Sequence, residues 1–161
     1  MSAARHPDPV VQELVDREAI KELKARYFRL IDTKAWDEFP DLFTDDCVHW
    51  LPEESPTPTM TNADYFAMTR ELLTPGVTVH HGHMSELTFD GPDEARGTWA
   101  MEDFVQVDPP SGRISIQGYG HYHETYRRCD DGQWRISSKR NTRLWVHPAA
   151  WTLPESPDDA G

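Results

Sequence analysis

The chain has 161 residues, enough for one domain with a real hydrophobic core. Its net charge of −12 at pH 7 sets it against nucleic acid and anionic membranes, since both bind through positive protein faces. Only 37% of residues are hydrophobic and no apolar run approaches the length of a bilayer span, so the sequence reads as soluble.

Residues 1 to 8 read as a flexible N-terminus. Met1–Pro7 lacks the apolar stretch of a secretory signal, so a cytoplasmic location is expected. Residues 9 to 32 carry a helical period, with Val11, Leu14, Val15, Ile20, Leu23, Tyr27, Leu30 and Ile31 at spacings of three and four. A second, short helix is predicted over Trp36 to Phe43, then a short strand from Cys47 to Leu51 and a proline-rich loop from Pro52 to Pro58. A third helix fits Asn62 to Leu73, capped by Thr61 or Asn62 and ended by Pro75-Gly76.

The second half reads as four strands: Val77 to Asp90, Ala95 to Val107, Arg113 to Arg128 and Trp134 to Val146. Turn signals separate them at Gly91-Pro92-Asp93, Asp108–Gly112 and Asp130-Asp131-Gly132. A domain over 9 to 146 follows, with an acidic, proline-containing tail over 147 to 161 expected to be extended or mobile. Helices followed by a long antiparallel meander make an α+β domain, with three helices packed on one face of a bent sheet. The two cysteines, Cys47 and Cys129, have neither metal nor redox spacing and are expected to be free thiols.

Asp103 stands out on the second strand. With period two it shares a face with Ala95, Gly97, Trp99, Met101, Val105 and Val107. A buried carboxylate is costly unless something pairs with it, and the run His80-His81-Gly82-His83 lies just upstream. A carboxylate facing a histidine in an apolar pocket suits proton transfer. Strict strand parity puts His81 and His83, not His80, on the apolar face. A bulge near Gly82 reverses that.

Other candidates are weaker taken singly. Tyr27 lies on the apolar stripe, where a core tyrosine is the ordinary reading. Asp32 ends the first helix against its macrodipole, or caps the next one. Arg143 shares its strand face with Lys139, Asn141 and Trp145, and is either a surface arginine over Trp145 or a cation reaching into a pocket. His80, His81, His83, His121 and His123 are concentrated enough to raise a metal site, but their spacing fits no metal motif and none is expected.

Taken together, these residues resemble a known family. Glu18–Arg29 ending at Asp32, then Trp36-Asp37-Glu38, is similar to the opening of SnoaL-like proteins of the nuclear-transport-factor-2-like superfamily. The similarity continues through His80-x-Gly82-His83, Gly97-x-Trp99-x-x-Glu102-Asp103 and Asp131-Gly132-Gln133-Trp134 to Arg143, over about residues 10 to 146. Within the family the chain most resembles the bile-acid 7α-dehydratases.

The resemblance implies a cone-shaped half-barrel and a catalytic set of Tyr27, Asp32, His80, Asp103 and Arg143. In that reading His80 is the base and Asp103 orients it. Tyr27 bonds an enolate oxygen or the leaving hydroxyl, Asp32 assists the hydroxyl's departure, and Arg143 holds or balances negative charge. The implied activity is a lyase that dehydrates a polycyclic or steroid-like hydroxy-carbonyl compound without a cofactor. The alternatives are an isomerase or cyclase using the same pocket, or a binder of a small apolar ligand. Trp50, Phe66, Met84, Trp99, Met101, Tyr119, Tyr122 and Trp145 are the candidate pocket lining. A homodimer or homotrimer is expected from the family.

Overall fold

The computed structural model describes residues 5–51, 59–108 and 112–149. The first helix, α1 (Pro9–Asp32), starts where its sequence says it should: Asp8 caps it, accepting from the Val10 and Val11 N–H groups, and Pro9 occupies the first turn. It stops at Thr33, and Lys34 follows with φ 59°. That left-handed residue redirects the chain. The predicted second helix shrinks to a 3-10 turn, Phe39–Leu42, because Pro40 and the preceding turn leave room for little more.

Strands β1 (Phe43–Trp50) and β2 (Thr59–Met60) come next, then helix α2 (Asn62–Leu73). Thr61 caps α2 by accepting from the Asp64 N–H. Four long strands complete the chain: β3 (Val77–Phe89), β4 (Glu94–Val107), β5 (Ile114–Arg128) and β6 (Trp134–Pro148). The six strands form one sheet in the order β2-β1-β6-β5-β4-β3, antiparallel except for β1 beside β6. The last strand thus runs two residues beyond the expected domain end at 146. The predicted loop over 52–58 and most of the tail lie outside the described residues.

Bulges bend this sheet into a cone and decide which side chains face inward. On β3 the register shifts between Gly82 and Ser85, so Thr78, His80 and Gly82 face inward first, then Ser85, Leu87 and Phe89. The break foreseen near Gly82 is therefore present, and His80 rather than His81 or His83 faces the interior. On β6 shifts at Ser137 and Leu144 do the same. Trp134 and Ile136 point inward, then Lys139, Asn141 and Arg143, then Val146.

The core forms where α1 crosses the concave face of the sheet. Ile20, Leu23, Tyr27, Leu30 and Ile31 are buried there with Phe39, Leu42, Phe43, Trp99, Tyr122 and Tyr126. Val11, Leu14 and Val15, read as part of the apolar stripe, are exposed, because the inward face of these turns is taken by Asp16, which is buried and accepts from Trp134 Nε1. Among the described residues no helix is long and apolar enough to cross a membrane.

One buried histidine couples this fold to pH. His49 on β1 stacks on Tyr65 of α2 at 3.9 Å between ring centroids. Asn62 donates to the Thr44 and Asp45 carbonyls, so its Oδ1 is the atom facing His49 Nε2 at 2.8 Å. Nε2 therefore carries the proton. Burial first, with Lys139 adding to it, pushes the His49 pKa down to about 4. The unfolded chain takes up a proton near the ordinary value of 6.5, before the folded chain does. Stability from this site is full above 6.5 and declines as pH falls to about 4, by about 3 kcal/mol in all. Urea unfolding at pH 7 and pH 4.5 should show the decline, and His49→Gln should remove most of the difference.

Candidate active site

A cavity of about 470 Å³ opens between α1, α2 and the concave sheet face, within the range of small-molecule sites. Tyr27, His80, Asp103 and Arg143 all line it. Most of the remaining wall is aliphatic, from residues such as Ile31, Leu51, Leu72, Val105 and Ile116. Charges inside such a wall act at low effective dielectric, so their pairing matters.

Asp32 does not line the cavity. It stands behind His80. Its Oδ1 is 2.6 Å from His80 Nδ1 and accepts the Thr78 hydroxyl at 2.8 Å; its Oδ2 accepts the His80 backbone N–H at 2.8 Å. These donors offset the unfavourable position of a carboxylate at a helix C-terminus. A carboxylate on Nδ1 selects the tautomer with the proton there. Nε2 is then left as a lone pair, with no hydrogen-bond partner among the described residues.

This corrects the expected role of Asp103. His80 and Asp103 are opposite one another on β3 and β4, yet Asp103 is not the histidine's hydrogen-bond partner. Arg143 Nη1 lies 2.8 Å from each Asp103 oxygen. The ion pair forms because Gly118, opposite Asp103 on β5, has no side chain in the way. A Cβ on Gly118 would fall 2.6 Å from Arg143 Nη1 and nearer still to Asp103. Asp103 is 2% exposed, so splitting the pair strands a buried charge. Gly118→Ala should lower stability by about 1–3 kcal/mol in thermal unfolding. Gly91→Ala, which meets nothing within 4 Å, should be neutral.

Tyr27 is 1% exposed, and its hydroxyl lies 3.1 Å from the Tyr65 hydroxyl. Burial, reinforced by Tyr65 and Tyr122, drives its pKa well above the usual value, so it stays a proton donor.

Of the eight residues expected to line the pocket, only Tyr122 does. Trp99 lies in the core and donates from Nε1 to Tyr126 at 2.7 Å. Met101 is buried beneath the Arg143 guanidinium. Phe66 packs on Phe39 and Phe43, and Trp50 lies under the Arg140 guanidinium. Met84 sits in the β3 bulge and is 93% exposed. Tyr119 and Trp145 stack on the outer sheet face; for Trp145 the bulge at Leu144 reverses the parity that puts it beside Arg143.

Tyr65, Lys139 and Asn141 also line the cavity. Strand parity with Arg143 already marks Lys139 and Asn141. Tyr65 carried no comparable signal, since one aromatic on a short helix is usually core. Among the described residues no three His, Cys, Asp or Glu side chains are grouped so as to hold a metal ion.

Comparison with known proteins agrees with this architecture. A probable cyclase of Gibberella zeae is 26% identical over 135 residues, spanning 78% of this chain and 89% of that protein. The structure of a candidate scytalone dehydratase from Novosphingobium aromaticivorans superposes with a TM-score of 0.72 at 22% identity, over 87% of this chain and 91% of that one. A type 2 LinA hexachlorocyclohexane dehydrochlorinase gives 0.75 at 21% identity, over 90% and 96%. The model of the SnoaL-like domain matches residues 12–140, so the chain belongs to the SnoaL-like, NTF2-like family.

Proposed function

We propose that this protein is a lyase that removes water from a polycyclic hydroxy-carbonyl compound by acid–base chemistry of its own side chains. One observation carries the reading. His80 lines an apolar cavity with its Nδ1 bound to a carboxylate, so in the neutral ring the lone pair lies on Nε2. Such a base is matched to a C–H acidified by a neighbouring carbonyl.

In the proposed sequence, Nε2 takes that proton and the C–H pair becomes the double bond of an enolate. Asp32 stabilises the imidazolium and keeps the ring in place. Tyr27 donates to the enolate oxygen. Re-forming the carbonyl expels the β-hydroxyl, which recovers the proton from the imidazolium and leaves as water. Asp32 therefore acts through His80 rather than on the leaving group. The Asp103–Arg143 pair presents a fixed dipole to the substrate and balances the carboxylates nearby. The aliphatic wall suits a flat, apolar ring system, including steroids and polyketides.

Relatives support eliminations of this kind, since the structural neighbours include a candidate scytalone dehydratase and a dehydrochlorinase. The cyclase-like relative favours a second reading, ring closure or isomerisation by the same base. Product mass separates them. Incubation with hydroxylated polycyclic ketones should yield products lighter by one water. Products of unchanged mass sink the dehydratase reading in favour of isomerisation.

A further inference from the structure

The cavity contains a second polar centre, formed by Lys139, Tyr65 and Tyr27. Lys139 is 2% exposed, yet no carboxylate lies within ion-pair distance of it among the described residues. Its Nζ donates to the Tyr65 hydroxyl at 3.3 Å and lies over the Tyr65, Tyr122 and Tyr27 rings at 5.0, 5.4 and 5.6 Å. The other buried lysine and the arginine at the cavity wall are neutralised. Arg143 has Asp103, and Lys24 has Glu124 at 2.6 Å. Glu124 is the cross-strand partner of Lys139 on β5 but is bound to Lys24.

Nearby titratable groups do not supply the missing anion. Burial pushes the Cys47 thiol up to about 12, so it is uncharged at neutral pH. His49 is neutral there as well, and Tyr27 keeps its proton. A buried ammonium without a counter-charge is costly, and an incoming oxyanion relieves that cost.

The hydrogen-bond directions point the same way. The Lys139 ammonium can only donate, so the Tyr65 oxygen accepts from it. The Tyr65 proton is then free to go to Tyr27, 3.1 Å away. With Tyr65 as the donor of that bond, the proton of Tyr27 remains for the cavity. A chain of donors headed by a cation polarises along its length. Three strand steps separate Lys139 on β6 from His80 on β3, about 14 Å along the sheet. The base and the cation thus stand on different sides of the cavity, as a reaction that moves a proton one way and electron density the other requires.

We infer that Tyr27, polarised by Lys139 through Tyr65, forms an oxyanion site, and that the substrate class is apolar ring compounds whose oxygen becomes an enolate or phenolate there. This deepens the lyase reading and rests on it for the reaction, though not for the binding. Lys139 and Tyr65 are positioning residues in that assignment.

The test reads binding without turnover. Ring-substituted 2-naphthols of graded acidity are added to the full chain, and absorption spectra report the ionised fraction of the bound phenol. In the wild type the bound phenol should ionise at a pH lower by about one unit or more than in water. Lys139→Met should abolish that shift and Lys139→Arg should keep part of it. Tyr65→Phe, which removes one oxygen and preserves the packing, should reduce it even if Lys139→Met fails to fold. His80→Ala should leave it in place. A phenol that does not bind, binds without a shift, or keeps the full shift in both Lys139→Met and Tyr65→Phe overturns the proposal. A retained shift in a protein with no dehydratase activity upholds the oxyanion site and removes only the lyase reading.

Discussion

His80→Ala is expected to lower the rate of dehydration by about a hundredfold or more, the usual worth of a general base. The expectation rests on geometry. Nδ1 is 2.6 Å from the Asp32 carboxylate, so the ring is held in one tautomer with Nε2 toward the cavity. Asp32→Asn should also be severe. Three donors converge on Asp32: the His80 N–H, His80 Nδ1–H and the Thr78 hydroxyl. An asparagine sets its own NH2 against one of them, which disfavours the working tautomer. His81→Ala provides the control, because His81 is exposed on the outer face of β3. The measurement is kcat with hydroxylated polycyclic ketones, followed by loss of water. Near-normal kcat in His80→Ala would remove His80 as the base.

The second large effect concerns stability. Glu124→Ala should cost about 3–5 kcal/mol, the usual penalty for breaking a buried ion pair from one side. Lys24 and Glu124 side chains are 1% and 0% exposed. Glu124 also accepts the Tyr126 hydroxyl at 2.6 Å, which in turn accepts from Trp99. Removing it strands an ammonium and a hydroxyl together. Burial already lowers Lys24 to about 8 against the raising effect of Glu124. Without that carboxylate the Lys24 value is lowered further, which limits the penalty. Domains are stable by only about 5–15 kcal/mol, so the variant is expected to unfold at much lower urea. The double variant Lys24→Met, Glu124→Leu should recover most of the loss, because it leaves no buried charge. No recovery would show that the wider Tyr126–Trp99 network, rather than the ion pair, carries the stability.

Both predictions depend on side chains from different elements, and that divides what sequence reading reaches from what it does not. The bounds of α1 were legible because Asp8 and Pro9 act on the first turn and the apolar period acts within a few residues. Thr61 marked α2 for the same reason. The four long strands stood out through alternation and turn residues. The alternation also marked Asp103 as buried, and the glycine in the histidine run placed the β3 bulge that turns His80 inward.

Partnership was not legible. Asp103 was assigned to His80 because they are close in the pattern. In the folded chain Asp32 descends from the end of α1 onto His80, and Arg143 crosses Gly118 to take Asp103. The lining failed for a related reason. Trp145 and Met84 lose their expected facing to single-residue register shifts on β6 and β3, and such a shift reverses every later side chain. Trp99 and Met101 face inward as alternation says, but Trp99 is held in the core by Tyr126 and Met101 lies beneath Arg143.

The sequence by itself determined the two long helices, the four long strands and the residue types able to carry proton transfer, because caps, periods and turns are local interactions. Only the tertiary structure decided which carboxylate serves the histidine and which serves the arginine. It alone also placed Lys139 at the cavity wall without a carboxylate partner among the described residues. Those outcomes depend on distances between atoms brought together by sheet curvature and helix docking, where a shift of one residue exchanges partners.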